Sequence, residues 1–143
     1  MGDRYPRLCV AAVQAAPVFL NREATVEKAC RFIREAGEHG AHVIGFPEGF
    51  IPAHPVWFHF HPVLSPKSLE WSTELFKNAV EIPSPATEAL CQAAREAGAY
   101  VVMGCVNVGR TPRGRCTIRN CSSIIAAGSW GDIRKCSPPL VNA

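Results

Sequence analysis

A short apolar run, a helical stripe and a second short apolar run follow one another between Leu8 and Phe46. The same order returns once further along the chain. Leu8 to Ala15 is small and apolar apart from Gln14, and Pro17 ends it. It reads as a strand covered on both faces. Asn21 is placed to cap a helix, with Glu23 in the favourable first turn. Val26, Ala29, Cys30, Ile33 and Ala36 recur at helical spacing and form one apolar stripe, while Lys28, Arg31, Glu35 and Glu38 lie mainly off it. Gly40 can stop the helix in a left-handed conformation. Ala41 to Phe46, with its β-branched and aromatic residues, reads as a second buried strand. Strand, helix and strand in this order pair in parallel by default, so the fold class is α/β.

The second unit repeats the plan. Ser84 and Pro85 supply an N-cap and a first-turn proline. Ala86 to Ala97 is helical, with Leu90, Ala93, Ala94 and Ala97 facing in, and Gly98 closes it. Tyr100 to Val108 reads as a buried strand. Both helices end in Arg-Glu-Ala-Gly, at 34–37 and 95–98, a sign of repeated supersecondary structure. Between the units lie a loop rich in proline, histidine and aromatic residues, Ile51 to Pro66, and a helix expected over about Ser68 to Val80. Arg119 to Ala127 reads as a further strand, turned by Gly128 to Asp132.

Glu48 ends the second strand, directly after Pro47. The carboxyl edge of an open α/β sheet is where working groups sit. Burial there would move a carboxyl group toward neutrality, as a general base needs. A solvated loop glutamate or the first residue of a helix would look the same in sequence.

The chain has 143 residues, enough for one domain with a real core. Lysine and arginine number 15 against 12 acidic residues, a charge of +3 with no long basic block, so nucleic acid is not an expected partner. No stretch approaches the roughly 18 apolar residues that span a bilayer. The N-terminus lacks the layout of a secretory signal, and a cytoplasmic location is expected. Seven cysteines without a Cys-x-x-Cys pair signal neither a disulfide framework nor a zinc ribbon. Cys9, Cys30, Cys91 and Cys105 suit small buried hydrophobes. His59 and His61 have a spacing open to zinc or copper, but no third ligand stands out and no metal is assigned.

Three segments together resemble the nitrilase superfamily of carbon-nitrogen hydrolases. Val10-Ala11-Ala12-Val13-Gln14-Ala15-Ala16-Pro17, followed by Asn21 and the helix, looks like its opening strand. Phe46-Pro47-Glu48 with Phe50-Ile51-Pro52 resembles its Phe-Pro-Glu motif and the turn after it. The third segment is Glu81-Ile82-Pro83-Ser84-Pro85-Ala86-Thr87 with Ala94-Arg95-Glu96-Ala97-Gly98 and Val101-Val102-Met103-Gly104, and it is most similar to the nitrilase branch. The match is continuous over 8–108. Beyond it, Thr117-Ile118-Arg119-Asn120 resembles a strand start of the family, with Arg119 where an aromatic is usual, and Arg134-Lys135 resembles its Arg-Lys pair.

The resemblance implies that residues 7–143 form the N-terminal portion of a carbon-nitrogen hydrolase domain, part of a four-layer α-β-β-α sandwich. It implies Glu48 as general base and Lys135 as charge stabiliser. It places the loop after Glu48, with His54, Trp57 and Phe58, on the wall of a substrate pocket. The substrate would be a small nitrile or amide, with no cofactor, and a homo-oligomer is expected. The family's nucleophilic cysteine lies well downstream of the lysine in a Cys-Trp or Cys-Tyr context, and none of the seven cysteines has that context. The expected activity is therefore hydrolysis of a nitrile to a carboxylic acid and ammonia, with this chain inactive alone. The alternatives are a non-catalytic binding or interaction module on a truncated fold, and an amidase-type hydrolase.

Overall fold

Both strand-helix-strand units form in a computed structural model, which describes residues 7–110, 116–126 and 129–133. In chain order the elements are β1 (Val10–Ala12), α1 (Arg22–Glu38), β2 (Val43–Gly45), a 3-10 turn (Val56–His59), α2 (Pro66–Lys77), α3 (Pro85–Ala97), β3 (Tyr100–Arg110), β4 (Cys116–Ala126) and β5 (Ser129–Ile133). They build one sheet in the order β1-β2-β3-β4-β5. β1, β2 and β3 are parallel, and β4 and β5 add to them as an antiparallel meander.

The helix ends follow the local chemistry. The Asn21 side chain accepts from the Ala24 backbone N–H at 3.0 Å, satisfying one of the donors a helix start leaves open. Ser84 and Thr87 form a reciprocal capping box at the start of α3. Val26, Ala29, Cys30 and Ile33 of α1 and Leu90, Cys91, Ala93 and Ala94 of α3 are buried in one core with Ile44, Val101, Met103, Cys105 and Ile125 of the sheet. The two Arg-Glu-Ala-Gly repeats meet there. Arg34 pairs with Glu96 at 2.7 Å, and a Cβ on Gly37 would lie 2.7 Å from that of Ala97.

Side chains alternate across a strand, so the odd-numbered core residues of β3 put Val102, Gly104, Val106 and Val108 on the opposite face. That face is covered unevenly. Val106 and Val108 pack with Trp57, Leu75, Ala79, Trp71 and Leu20 in a second cluster. Toward the start of the strands the face is open, with Leu8 62%, Val10 66% and Tyr100 54% exposed. The expectation that Leu8 to Ala15 is covered on both faces therefore fails, and Tyr100 is not part of a buried strand. The described residues make two layers, α1 and α3 on the sheet, of the four that the resemblance implies.

Two element bounds also differ from expectation. α2 starts at Pro66, capped by Ser65, and stops at Lys77 because Val80 is drawn into the sheet. Val80 donates to Val106 O at 2.8 Å and accepts from Val108 N at 3.0 Å. Ser129 to Asp132, expected as a turn, is strand, because it finds a full antiparallel ladder against β4 from Ala126 to Ser123.

Candidate active site

Glu48 is positioned by a detour of the backbone. Phe46 still donates to Val102 O of β3 at 2.9 Å. The chain then leaves the sheet and returns at Ile51, which donates to Gly104 O at 3.2 Å and accepts from Val106 N at 2.7 Å. Phe46 and Phe50 anchor the two ends in the helix-side core, their rings 5.2 Å apart. The residues between them, Pro47 to Gly49, cross to the other face of the sheet, directly over Gly104. A Cβ on Gly104 would collide with Pro47 O and come within 2.8 Å of Glu48 Cα and 2.9 Å of Gly49 N. Gly49 itself has φ +61°, a conformation that L side chains rarely adopt.

Glu48 is exposed. The burial expected for it is absent because the turn lies on the face that α1 and α3 do not cover. Glu48 thus stands exposed on the face opposite α1 and α3. His54 lies beside the turn. A Cβ on Gly49 would be 3.0 Å from His54 Cα and 3.2 Å from His54 Nδ1, and that ring nitrogen is buried without a hydrogen-bond partner.

The other expected pocket residues divide. Trp57 is 3% exposed and forms the centre of an aromatic cluster, 6.0 Å from Phe19, 5.9 Å from Trp71 and 5.6 Å from Phe58 between ring centroids. Its body is packed as core, so it is not an open pocket wall, and its Nε1 is buried unpartnered. Phe58 is 38% exposed. His61 stacks edge-on against Trp71 at 5.4 Å, and His59 is exposed. Among the described residues no group of three potential ligands gathers to hold a metal.

Lys135 lies outside the described residues. In the ladder, Gly104 pairs with Ser122 and Ser122 with Ile133. The end of β5 thus reaches the level of the Glu48 turn. From Gly104 to Ile133 is two strand spacings, about 10 Å.

The described thiols are poor partners for Glu48. Cys30, Cys91 and Cys105 are buried, and burial pushes the thiols of Cys30 and Cys91 up. Cys105 borders the Glu48 turn along the chain, but its side chain packs in the helix-side core. Cys9 is exposed, contrary to expectation, and lies before β1, at the opposite end of the parallel strands. A separate groove of about 640 Å³ runs past Arg22, Val26 and Cys30 of α1 and Pro85 of α3, and no residue of the Glu48 turn lines it.

Sequence reasoning singled out Glu48 and gave no role to Gly104, which lies against the Glu48 turn. The signal was present, since glycine inside a strand marks a close backbone approach. Nothing local marked Phe19 or Trp71 as neighbours of Trp57.

The carbon-nitrogen hydrolase family model matches residues 9–134. A nitrilase of Bacillus sp. (strain OxB-1) is 44% identical over 106 residues, covering 74% of this chain and 30% of the relative. An arylacetonitrilase of Hypocrea virens is 40% identical, covering 73% and 30%, and an aliphatic nitrilase of Sinorhizobium fredii is 41% identical, covering 67% and 32%. The chain thus spans about a third or less of the curated relatives it matches. Among solved structures, an amidase from Nesterenkonia sp. superposes with TM-score 0.56 at 17% identity, over 90% of this chain and 42% of that one. A glutamine-dependent NAD+ synthetase from Acinetobacter baumannii superposes with TM-score 0.58 at 21% identity, over 93% and 22%. Likeness at this identity speaks for the fold alone.

Proposed function

The chain belongs to the carbon-nitrogen hydrolase family, and from that premise we propose that it carries the general-base part of a nitrilase-type site centred on Glu48. The observation that supports this most is the placement of Glu48. It is exposed on a turn that β3 holds at Gly104, on the open face of the sheet. In the proposed reaction Glu48 takes the proton of a cysteine thiol. The thiolate attacks the nitrile carbon and forms a thioimidate. Water adds to it, ammonia departs, and a second water hydrolyses the acyl-enzyme to the carboxylic acid. The tetrahedral species develop negative charge, for which Lys135 is the proposed stabiliser.

The nucleophile is proposed to lie outside these 143 residues. The burial of Cys30, Cys91 and Cys105 and the remoteness of Cys9 support this. A nitrile is favoured over an amide as substrate, since the relatives at about 40% identity are named nitrilases and the amidase likeness is at 17%. His54, beside the Glu48 turn, and Phe58, exposed on the loop that follows it, are the proposed contacts to the substrate's side chain. A binding module without catalysis is the second reading, and the open apolar face around Val10 and Tyr100 favours it.

Two measurements test the proposal. The isolated chain should release no ammonia from aliphatic or aromatic nitriles. Turnover that vanishes on Glu48→Gln would overturn this and send the search to Cys105, Cys116, Cys121 and Cys136. A chimera with residues 8–108 of this chain in place of the matching part of the Bacillus nitrilase should hydrolyse nitriles. There Glu48→Gln should cost roughly 10²–10⁴-fold in kcat, the range of a lost general base. A folded chimera whose turnover survives Glu48→Gln would remove Glu48 as the base.

A further inference from the structure

We propose that Gly104 is a positioning residue for Glu48: the missing side chain of β3 is what seats the Glu48 turn on the sheet. This rests on the reading of Glu48 as the base, and it adds a second position on a different strand to that site.

The argument is steric. A Cβ at 104 would fall on backbone atoms, Pro47 O, Glu48 Cα and Gly49 N. Backbone cannot swing aside as the far end of a long side chain can, so the turn itself would have to lift. It has little freedom to do so. Phe46 and Ile51, on either side of it, are both hydrogen-bonded to β3, the same strand that carries Gly104. Sideways room at Gly49 is limited by His54, whose Cα and Nδ1 would lie 3.0 and 3.2 Å from a Cβ there. Lifting a turn pinned at both ends rotates the residue at its crest, and that residue is Glu48. A displacement of even 1 Å matters where a proton must pass between two positioned groups.

A second glycine supplies the contrast. Gly45 of β2 presents to the same open face, since its neighbour Ile44 is in the helix-side core. The nearest atom to a Cβ there is Ala11 O at 4.0 Å, an ordinary contact. Both are strand glycines facing the same side of the sheet near the Glu48 turn, yet of the two only Gly104 is sterically required to be one.

The test is nuclear magnetic resonance on the full 143-residue chain. In the wild type, the Gly104 Hα protons should show a nuclear Overhauser contact to the Gly49 amide proton. With glutamate carboxyls labelled, the Glu48 resonance is assigned by its loss in Glu48→Gln. Gly104→Ala should shift the Glu48 carboxyl and Gly49 amide resonances and leave those of α1 and α3 in place. Gly45→Ala should leave the Glu48 and Gly49 resonances unmoved. Absence of the wild-type contact overturns the proposal even if Gly104→Ala does not fold. Unmoved Glu48 and Gly49 signals in a folded Gly104→Ala, or equal shifts in Gly45→Ala, overturn it as well. None of these readouts depends on turnover, so a failure of Glu48 as base in the chimera is told apart from a failure of the positioning role.

Discussion

One sheet here has two faces of opposite character. On one, Ile44, Val101, Met103 and Cys105 are buried under α1 and α3. On the other, Val10 and Tyr100 are exposed and the Glu48 turn rests on Gly104. The first face supplies stability, because its apolar area leaves water and its helices are capped and close-packed. The second is covered only in part, by the cluster around Trp57, Leu75 and Val106, and leaves Glu48 exposed. The same β3 serves both through alternation, with odd residues holding the core and Gly104 making room for the Glu48 turn.

The sharpest way to break this contrast is to truncate one apolar side chain on each side of the sheet to alanine. Leu90→Ala, on the covered side with no exposed area, should lower the unfolding free energy by about 2–5 kcal/mol. Val10→Ala on the open face should stay within about 0.5 kcal/mol. Urea titrations of the two variants decide, and equal losses would mean that the open face is closed in solution.

A smaller effect tests whether the helical layer depends on its ends. Ser84 Oγ accepts from Thr87 N at 3.4 Å, and Thr87 Oγ1 accepts from Ser84 N at 2.9 Å. Ser84→Ala should cost roughly 1 kcal/mol in thermal or urea unfolding. No loss would assign α3 to packing alone.

The open face should show itself in association more than in stability. The triple substitution Leu8→Ser, Val10→Thr, Tyr100→Ser should change the unfolding free energy by no more than about 1 kcal/mol in total. It should also reduce self-association in size-exclusion with light scattering, since exposed apolar patches drive contact between copies. A wild-type chain that runs as a stable monomer would contradict that expectation.

The smallest effect is at the Arg34–Glu96 pair between α1 and α3. The Arg34 guanidinium, and then the Gln92 side chain, hold the Glu96 carboxyl below its ordinary value of 4.5. A carboxyl depressed in the folded state adds stability above its unfolded pKa and loses it as the pH falls through the lower folded value. Both groups are exposed, so the contribution is slight and screened by salt. Glu96→Gln should leave neutral-pH unfolding nearly unchanged and flatten the decline below about pH 4.5. A large loss at neutral pH would show the pair doing more than surface pairs do.

Much of the helical layer was legible before any coordinates. Asn21, Ser84, Gly40 and Gly98 mark the ends, and the stripes of Val26 to Ala36 and Leu90 to Ala97 mark the faces, because a helix is fixed by contacts within about four residues. The three motifs around Gln14, Glu48 and Ser84 carried the family for the same reason, being contiguous. Val80 was misplaced into α2 because its pairing with Val106 and Val108 spans more than twenty residues, which no local pattern records. Ser129 to Asp132 was read as a turn because its small and polar residues suit one, until β4 offered a ladder.

By itself, then, the sequence determined the α/β class, the helices and their inward faces, and Glu48 as the residue to watch. Tertiary structure alone decided that Leu8 to Ala15 is covered on one face only, that Trp57 is core, that β5 ends two strands from Gly104, and that Gly104 seats the Glu48 turn. The division has one physical cause. Helix ends and stripes follow from interactions between near neighbours in the chain. Coverage of a sheet face and the approach of one backbone to another depend on segments some fifty residues apart, whose meeting is set by the packing of the whole.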